Sequence, residues 1–115
     1  MSVQIYHNPR CSKSRQTLQL LEDNGISPEI IEYLQTPPDT ATLAGIVAKL
    51  GVSVDDIMRT GEDQYKASKE AVTTMDDAGK LAWLCDNPKV IQRPIVINGE
   101  QARIGRPPES VLDII

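Results

Sequence analysis

The chain has 115 residues, enough for one domain with a hydrophobic core of its own. Its formal net charge of -4 at pH 7 argues against a nucleic-acid-binding surface, which is normally basic. Two cysteines are too few for a disulfide framework, and with a single histidine they offer no metal-ligand cluster. We expect no signal peptide, and no apolar run in the sequence is near the roughly 20 residues that span a bilayer. We therefore expect a soluble cytoplasmic protein without a bound metal and without a membrane or nucleic-acid partner.

The first third of the chain predicts a strand, a helix and a second strand. Val3–Tyr6 is a short apolar segment, and the helical pattern after it covers residues 12–24, with Gly25 as the stop. Residues 29–34 follow Pro28 and form the second predicted strand. Elements in this order predict a βαβ unit with parallel strands.

The middle of the chain is predicted to be helical. Thr36, followed by two prolines and an acid, is typical of a helix start, and Gly51 ends that helix. A shorter helix is predicted over residues 53–59, and irregular helical turns over residues 64–74. A further helix covers residues 76–86 and ends at an Asn-Pro pair.

The last third changes to a strand pattern and ends in a helix. Residues 90–91, 95–97 and 101–104 predict a β-hairpin, because Asn98-Gly99 is the strongest short turn signal. Pro107-Pro108 opens a final helix. The residues predicted to share one face of this helix are Val111, Leu112 and Ile115.

Cys11 lies between the first strand and the first helix, which makes it the candidate nucleophile. The thiolate is the reactive form, and the unpaired N–H groups and positive dipole end of a helix N-terminus lower a thiol pKa. Arg10, Lys13 and Arg15 add positive charge, and the same N–H groups can receive an oxyanion. The alternative is an inert buried thiol, which the polar neighbours of Cys11 disfavour.

Three further positions bear on this thiol. Ser14 stands where dithiol oxidoreductases carry a second cysteine, so no disulfide can form within the motif and the resolving thiol must come from elsewhere. Cys85 is the only internal candidate, but its apolar helical neighbours predict a core cysteine. His7 is either a structural residue or a partner of Cys11. In the second case it stabilises the thiolate as an imidazolium or accepts the thiol proton as a neutral imidazole.

The Cys11 motif and several later segments resemble the glutaredoxin-coupled arsenate reductases, which have a thioredoxin-like fold. The segments that carry the resemblance are His7-Asn8-Pro9-Arg10-Cys11-Ser12-Lys13-Ser14-Arg15, Tyr33-Leu34-Gln35-Thr36-Pro37-Pro38, Arg59, Arg93-Pro94-Ile95-Val96 and Arg106-Pro107. The resemblance implies a single α/β domain with a thioredoxin-like core, βαβ plus ββα, and a helical insertion. The core is expected at about residues 1–35 and 88–115, and the insertion at about residues 36–87.

The resemblance also implies roles for individual residues. Cys11 is the nucleophile, His7 tunes it indirectly, and Ser14 hydrogen-bonds the thiolate. The arginines that bind the oxyanion are Arg59, Arg93 and Arg106. A guanidinium suits this task because it is always charged and presents a planar fork of donors. The Arg93-Pro94 peptide bond is expected to be cis and to face the nucleophile.

The activity that the resemblance implies is reduction of arsenate to arsenite by a monomer with no bound cofactor. Cys11 attacks arsenate, glutathione resolves the adduct, and glutaredoxin removes glutathione from Cys11. Two alternatives remain: a redox-responsive transcription regulator of the Spx type, and a glutathione-linked thiol reductase with another substrate. Regulators of that type usually carry Cys-x-x-Cys, so the Cys-x-x-Ser motif and the arginines favour the enzyme.

Overall fold

The computed structural model describes residues 3–115, and the chain forms two compact units. The first contains the described residues up to Thr36 together with Arg93–Ile115, and the second is Pro37–Gln92. The second unit extends beyond residue 87, where the predicted insertion ends, because backbone hydrogen bonds attach the next residues to it. The N–H of Arg59 donates to the Val90 carbonyl at 2.6 Å, and the N–H of Gln92 donates to the Ile57 carbonyl at 2.8 Å. That the two units form one domain stays a prediction.

The first unit is built on a four-stranded sheet in the order β2-β1-β3-β4. Its strands are β1 (Val3–Tyr6), β2 (Glu29–Ile31), β3 (Ile95–Asn98) and β4 (Gln101–Ile104). β1 is parallel to β2 and antiparallel to β3, and β3 forms the predicted hairpin with β4. Gly99 adopts a φ of +62° in the two-residue turn of this hairpin, where a positive φ is required.

Helix α1 (Ser12–Asp23) connects β1 to β2, which confirms the predicted βαβ unit. The residue after its cap, Gly25, has a φ of +77°, as expected for a helix stop. β2 is shorter than predicted because a turn follows it at once. The N–H groups of Gln35 and Thr36 both donate to the Glu32 carbonyl at 2.9 Å.

The C-terminal helix differs from the prediction. It is a 3₁₀-helix, Pro108–Ile114, whose three residues per turn direct Pro108, Val111 and Ile114 inward. Leu112 and Ile115 were predicted on that face but are 39% and 38% exposed. One cluster of buried hydrophobic residues in the first unit contains Ile5, Leu21, Val96, Val111 and Ile114.

The second unit contains α2 (Thr40–Leu50), α3 (Asp63–Thr73), α4 (Asp77–Asp86) and the 3₁₀-helices Val54–Ile57 and Pro88–Val90. Asp39 caps α2 by accepting a hydrogen bond from the Thr42 N–H at 2.7 Å. The predicted cap, Thr36, lies outside the helix because a residue before proline disfavours helical geometry.

Three further segments of the second unit differ from the prediction. α3 is a regular helix rather than a set of irregular turns. The predicted helix over residues 53–59 is the single 3₁₀ segment Val54–Ile57. Ile91 pairs with Met58 in an isolated bridge instead of joining the sheet. Within residues 3–115 we find no helix with the length and apolar character needed to cross a membrane.

Candidate active site

The loop between β1 and α1 holds Cys11 at the N-cap position of the helix. The N–H of Cys11 donates to the Asn8 carbonyl and the N–H of Arg10 donates to Asn8 Oδ1, both at 3.0 Å. Nη1 of Arg15 donates to the Pro9 carbonyl at 2.9 Å. The loop is therefore held by its own hydrogen bonds, and it presents the thiol at the positive end of the helix dipole.

The surroundings of Cys11 lower its pKa. Burial by itself raises the pKa, because a half-buried thiolate is less well solvated. The N–H of Ser14, a hydrogen bond from the Arg93 side chain, the charge of Arg106 and the N–H of Lys13 together outweigh that effect. The two N–H groups act on the sulfur electrostatically, without a capping hydrogen bond of standard geometry. A thiol in such a setting is deprotonated more readily and is a better nucleophile near neutral pH.

Two arginines from one end of the hairpin lie at this thiol. Arg93 comes shortly before β3 and Arg106 shortly after β4, so the pairing of the two strands brings the arginines together. Nη2 of Arg106 is 3.4 Å from Sγ of Cys11, and Nε of Arg106 donates to the Arg93 carbonyl at 2.8 Å. The Arg93-Pro94 peptide bond is cis, which confirms the prediction, and the Arg106-Pro107 bond is cis as well.

His7 and Ser14 form a buried pair beneath the loop. Nδ1 of His7 is 2.6 Å from Oγ of Ser14, and that oxygen also accepts the Asn8 N–H at 3.0 Å. Burial lowers the pKa of His7, and the charge of Arg15 lowers the same pKa further. Together these two effects outweigh the Glu32 carboxylate, which raises it. The imidazole is therefore neutral at pH 7, which argues against the imidazolium role. Ser14 acts on the thiol through its N–H, while its hydroxyl pairs with His7.

Comparisons with known proteins identify the family of this chain. The model of the ArsC family matches residues 6–114. The chain belongs to the ArsC family. It is 47% identical over 116 residues to the arsenate reductase of Haemophilus influenzae, with 100% of both chains covered. It is 50% identical over 114 residues to the uncharacterized protein YfgD of Escherichia coli K12, covering 98% of this chain and 96% of that one.

A solved structure of an ArsC relative shows the same fold. The arsenate reductase from Vibrio cholerae superposes with a TM-score of 0.96 at 47% identity, covering 100% of this chain and 98% of that one. The predicted α/β class with a thioredoxin-like fold is therefore confirmed.

Most of the predicted site residues of this ArsC chain lie together in the first unit. These residues are Cys11, His7, Ser14, Arg93 and Arg106. Arg59 belongs to the second unit, where its Nε donates to Oε1 of Glu62 at 3.2 Å. The roles assigned to all of them stay predictions. Within the described part of the chain, no group of three or more His, Cys, Asp or Glu side chains could hold a metal ion.

Three residues that shape the ArsC site were missed in the sequence. Asn8 organises the loop, and its Asn-Pro dipeptide is a turn signal that could have identified it. Thr17 is buried in α1 against Gly105, where an added Cβ would lie 2.5 Å from Thr17 Oγ1 and 2.8 Å from Pro94 Cγ. Only glycine permits this approach, which fixes the backbone next to Arg106. No local pattern marks a contact between residues so far apart in the chain.

Proposed function

We propose that this chain reduces arsenate to arsenite, with Cys11 as the nucleophile. The proposal rests mainly on a thiol of lowered pKa in contact with two guanidinium groups, those of Arg93 and Arg106. An oxyanion at this position would meet fixed positive charge beside the nucleophile that attacks it. Relatives named arsenate reductase at 47% and 43% identity, with 100% and 94% of their lengths covered, support this choice of oxyanion.

In the first step the Cys11 thiolate attacks arsenic, and one arsenate oxygen is protonated and leaves as water. The product is an adduct in which the Cys11 sulfur is bonded to As(V). Negative charge on the remaining oxygens is stabilised by Arg93, by Arg106 and by the N–H groups at the start of α1. Neutral His7, through Ser14, keeps the loop in place without adding a charge near the thiol.

In the second step a glutathione thiolate attacks the sulfur of Cys11. The sulfur–arsenic bond breaks and its electron pair goes to arsenic, so As(V) becomes As(III) and arsenite leaves. Two thiols have then supplied two electrons and two protons, and the products are arsenite, water and a Cys11–glutathione disulfide. A glutaredoxin thiolate attacks the glutathione sulfur of that disulfide, which returns Cys11 as a thiolate.

The surroundings of Cys85 support the proposal that the second thiol comes from outside the chain. Burial raises the pKa of Cys85, and so do Asp86 and Asp39, although a hydrogen bond with Thr40 opposes them. Cys85 is therefore mainly a thiol at neutral pH and a poor attacking group. Because the reaction needs free thiols, we place it in the reducing cytoplasm. All the residues invoked belong to one chain, so we propose a monomer.

The test is to incubate the protein with arsenate and glutathione and to follow both arsenite formation and intact mass. We expect one glutathione on Cys11 by peptide mapping, and its removal by glutaredoxin. Cys85→Ser is the matched control and should keep its turnover within about twofold, as expected of a substitution away from the chemistry. A Cys11–Cys85 disulfide with turnover independent of glutathione would contradict the mechanism. Glutathione on Cys11 without arsenite would indicate a thiol reductase with another substrate.

A further inference from the structure

A groove beside the active-site loop is separate from the position proposed for the oxyanion. It has a volume of about 210 Å³, and its lining belongs entirely to the first unit. One wall is the loop, with His7, Asn8 and Arg10, and the other is the turn after β2, with Glu32, Leu34 and Gln35. Neither Arg93 nor Arg106 lines it.

Hydrogen bonds hold both walls of the groove. The N–H of His7 donates to the Ile31 carbonyl at 2.8 Å, which ties the loop to the end of β2. Asn8 Oδ1 accepts the Arg10 N–H at 3.0 Å in the loop, and the Glu32 carbonyl accepts two N–H groups in the turn. A ligand would therefore enter a preformed site and would not have to order it, which lowers the cost of binding.

The charges of the groove favour a zwitterion. The exposed guanidinium of Arg10 is on one wall and the exposed carboxylate of Glu32 is on the other. Glu32 repels a simple oxyanion and Arg10 repels a simple cation, whereas a ligand with both a carboxylate and an ammonium group pairs with each. The side-chain amide of Gln35 can donate to and accept from a peptide group, and Leu34 offers apolar surface.

The groove is also next to the nucleophile. Arg10 precedes Cys11 in the chain, and the N–H of Cys11 donates to the carbonyl of Asn8, which lines the groove, at 3.0 Å. The groove is smaller than the roughly 300–1,000 Å³ pockets that enclose a whole drug-sized ligand. It therefore suits one amino-acid-sized end of a ligand and leaves the rest outside, beside Cys11.

We propose that this groove binds the γ-glutamyl end of glutathione. The α-carboxylate pairs with Arg10, the α-ammonium group pairs with Glu32, and the cysteine of the tripeptide extends toward Cys11. The inference rests on the proposed function, since that function requires a thiol cosubstrate. In this arrangement the oxyanion and glutathione bind to two different sets of side chains, both next to Cys11.

Binding is measured with S-methylglutathione, whose blocked thiol cannot react, by following backbone amide shifts of the full chain. We expect shifts at residues 7–10 and 32–35, and we expect Glu32→Lys to weaken binding at least about fivefold, as for reversal of an exposed charge pair. Glu29→Lys is the matched control, because it makes the same charge change on β2 outside the groove lining. It should alter the affinity less than about twofold.

Unaltered affinity in Glu32→Lys, or shifts confined to residues outside the two walls, would overturn the inference. Arsenate reduction is assayed separately with dithiothreitol, an uncharged thiol that has no use for Arg10 or Glu32. Reduction of arsenate without groove binding overturns this inference and leaves the proposed function intact. Groove binding without any arsenate reduction, with either thiol, supports the inference and removes the proposed function.

Discussion

The two cysteines of this chain are both half-buried, yet their surroundings shift their pKa values in opposite directions. Burial raises the pKa at both positions, so exposure does not distinguish them. Cys11 has N–H groups and guanidinium groups around it, which reverse the effect of burial. Cys85 has the carboxylates of Asp86 and Asp39 nearby, which add to that effect. A cysteine in this molecule is thus made reactive by its electrostatic partners.

The largest expected effect comes from removing each thiol in turn. Cys11→Ser should reduce arsenate turnover to background, because serine at a helix N-terminus remains protonated and cannot form the sulfur–arsenic bond. Cys85→Ser should leave turnover nearly unchanged. Both variants are assayed with arsenate, glutathione and glutaredoxin. Equal losses of turnover in the two variants would show that the opposite pKa shifts of the two cysteines do not determine which one reacts.

The second effect comes from removing the arginines that lower the pKa of Cys11 and that Cys85 lacks. Arg93→Ala or Arg106→Ala should raise the pKa of Cys11 and weaken arsenate or sulfate binding about tenfold or more, since charged hydrogen bonds contribute about 1.5–3 kcal/mol. Anion affinity is measured by calorimetry, and thermal unfolding checks that the fold is retained. Arg103→Ala, on β4, is the matched control and should bind anions like the wild type. Unchanged affinity in both test variants would remove these arginines from the site.

The sequence predicted the surroundings of Cys11 correctly only where they depend on residues close together in the chain. Cys11 before a helical pattern and Gly25 after it gave the correct local structure, because turns and helix ends depend on neighbouring residues. The hairpin was also predicted correctly, although Asn98 ends β3 and only Gly99 of the Asn98-Gly99 pair lies in its turn. The position of Arg106 beside Cys11 came from the family resemblance. Physically it depends on the register of β3 with β4, which brings together residues far apart in the chain.

Two structural features were not predicted from the sequence, and both depend on contacts between residues far apart in the chain. The C-terminal segment has apolar residues compatible with either an α-helix or a 3₁₀-helix, and packing against the sheet and α1 selects the three-residue period. Val111 and Ile114 are buried as a result, while Leu112 is not. Thr17 is a polar residue in a helix and gave no sign of burial, because its contact, Gly105, is at the other end of the chain.

A third, smaller effect tests the packing that positions the partners of Cys11. Gly105→Ala places a Cβ against Thr17 and Pro94, so we expect a loss of about 1–3 kcal/mol in unfolding free energy and weaker anion binding. Gly45→Ala is the control, because Gly45 lies inside α2, where the added Cβ would meet no packing neighbour within 4 Å apart from the adjacent residues and the backbone of its own helix. It should stabilise the protein by up to about 1 kcal/mol. Urea unfolding compares the two, and equal effects would contradict the close approach at Gly105.

The smallest effect concerns the buried imidazole near Cys11. Burial holds the pKa of His7 below its unfolded value of about 6.5. The stability gained by keeping His7 neutral is therefore fully present above that pH, and it is lost as the pH falls through the folded-state pKa, because the unfolded state binds the proton first. Urea unfolding of His7→Asn should accordingly show a smaller loss of stability than the wild type between pH 7 and pH 5. Parallel pH profiles would mean that His7 is not held neutral.

The opposite pKa shifts of Cys11 and Cys85 can be measured together in the folded wild-type protein. The rate of iodoacetamide alkylation is followed against pH, and peptide mapping separates the two cysteines. The account predicts that Cys11 reacts with a midpoint below the ordinary pKa of a free thiol, and that Cys85 reacts with a midpoint above it. Alkylation of Cys85 at an equal or greater rate near neutral pH would contradict the assignment of Cys11 as the activated nucleophile.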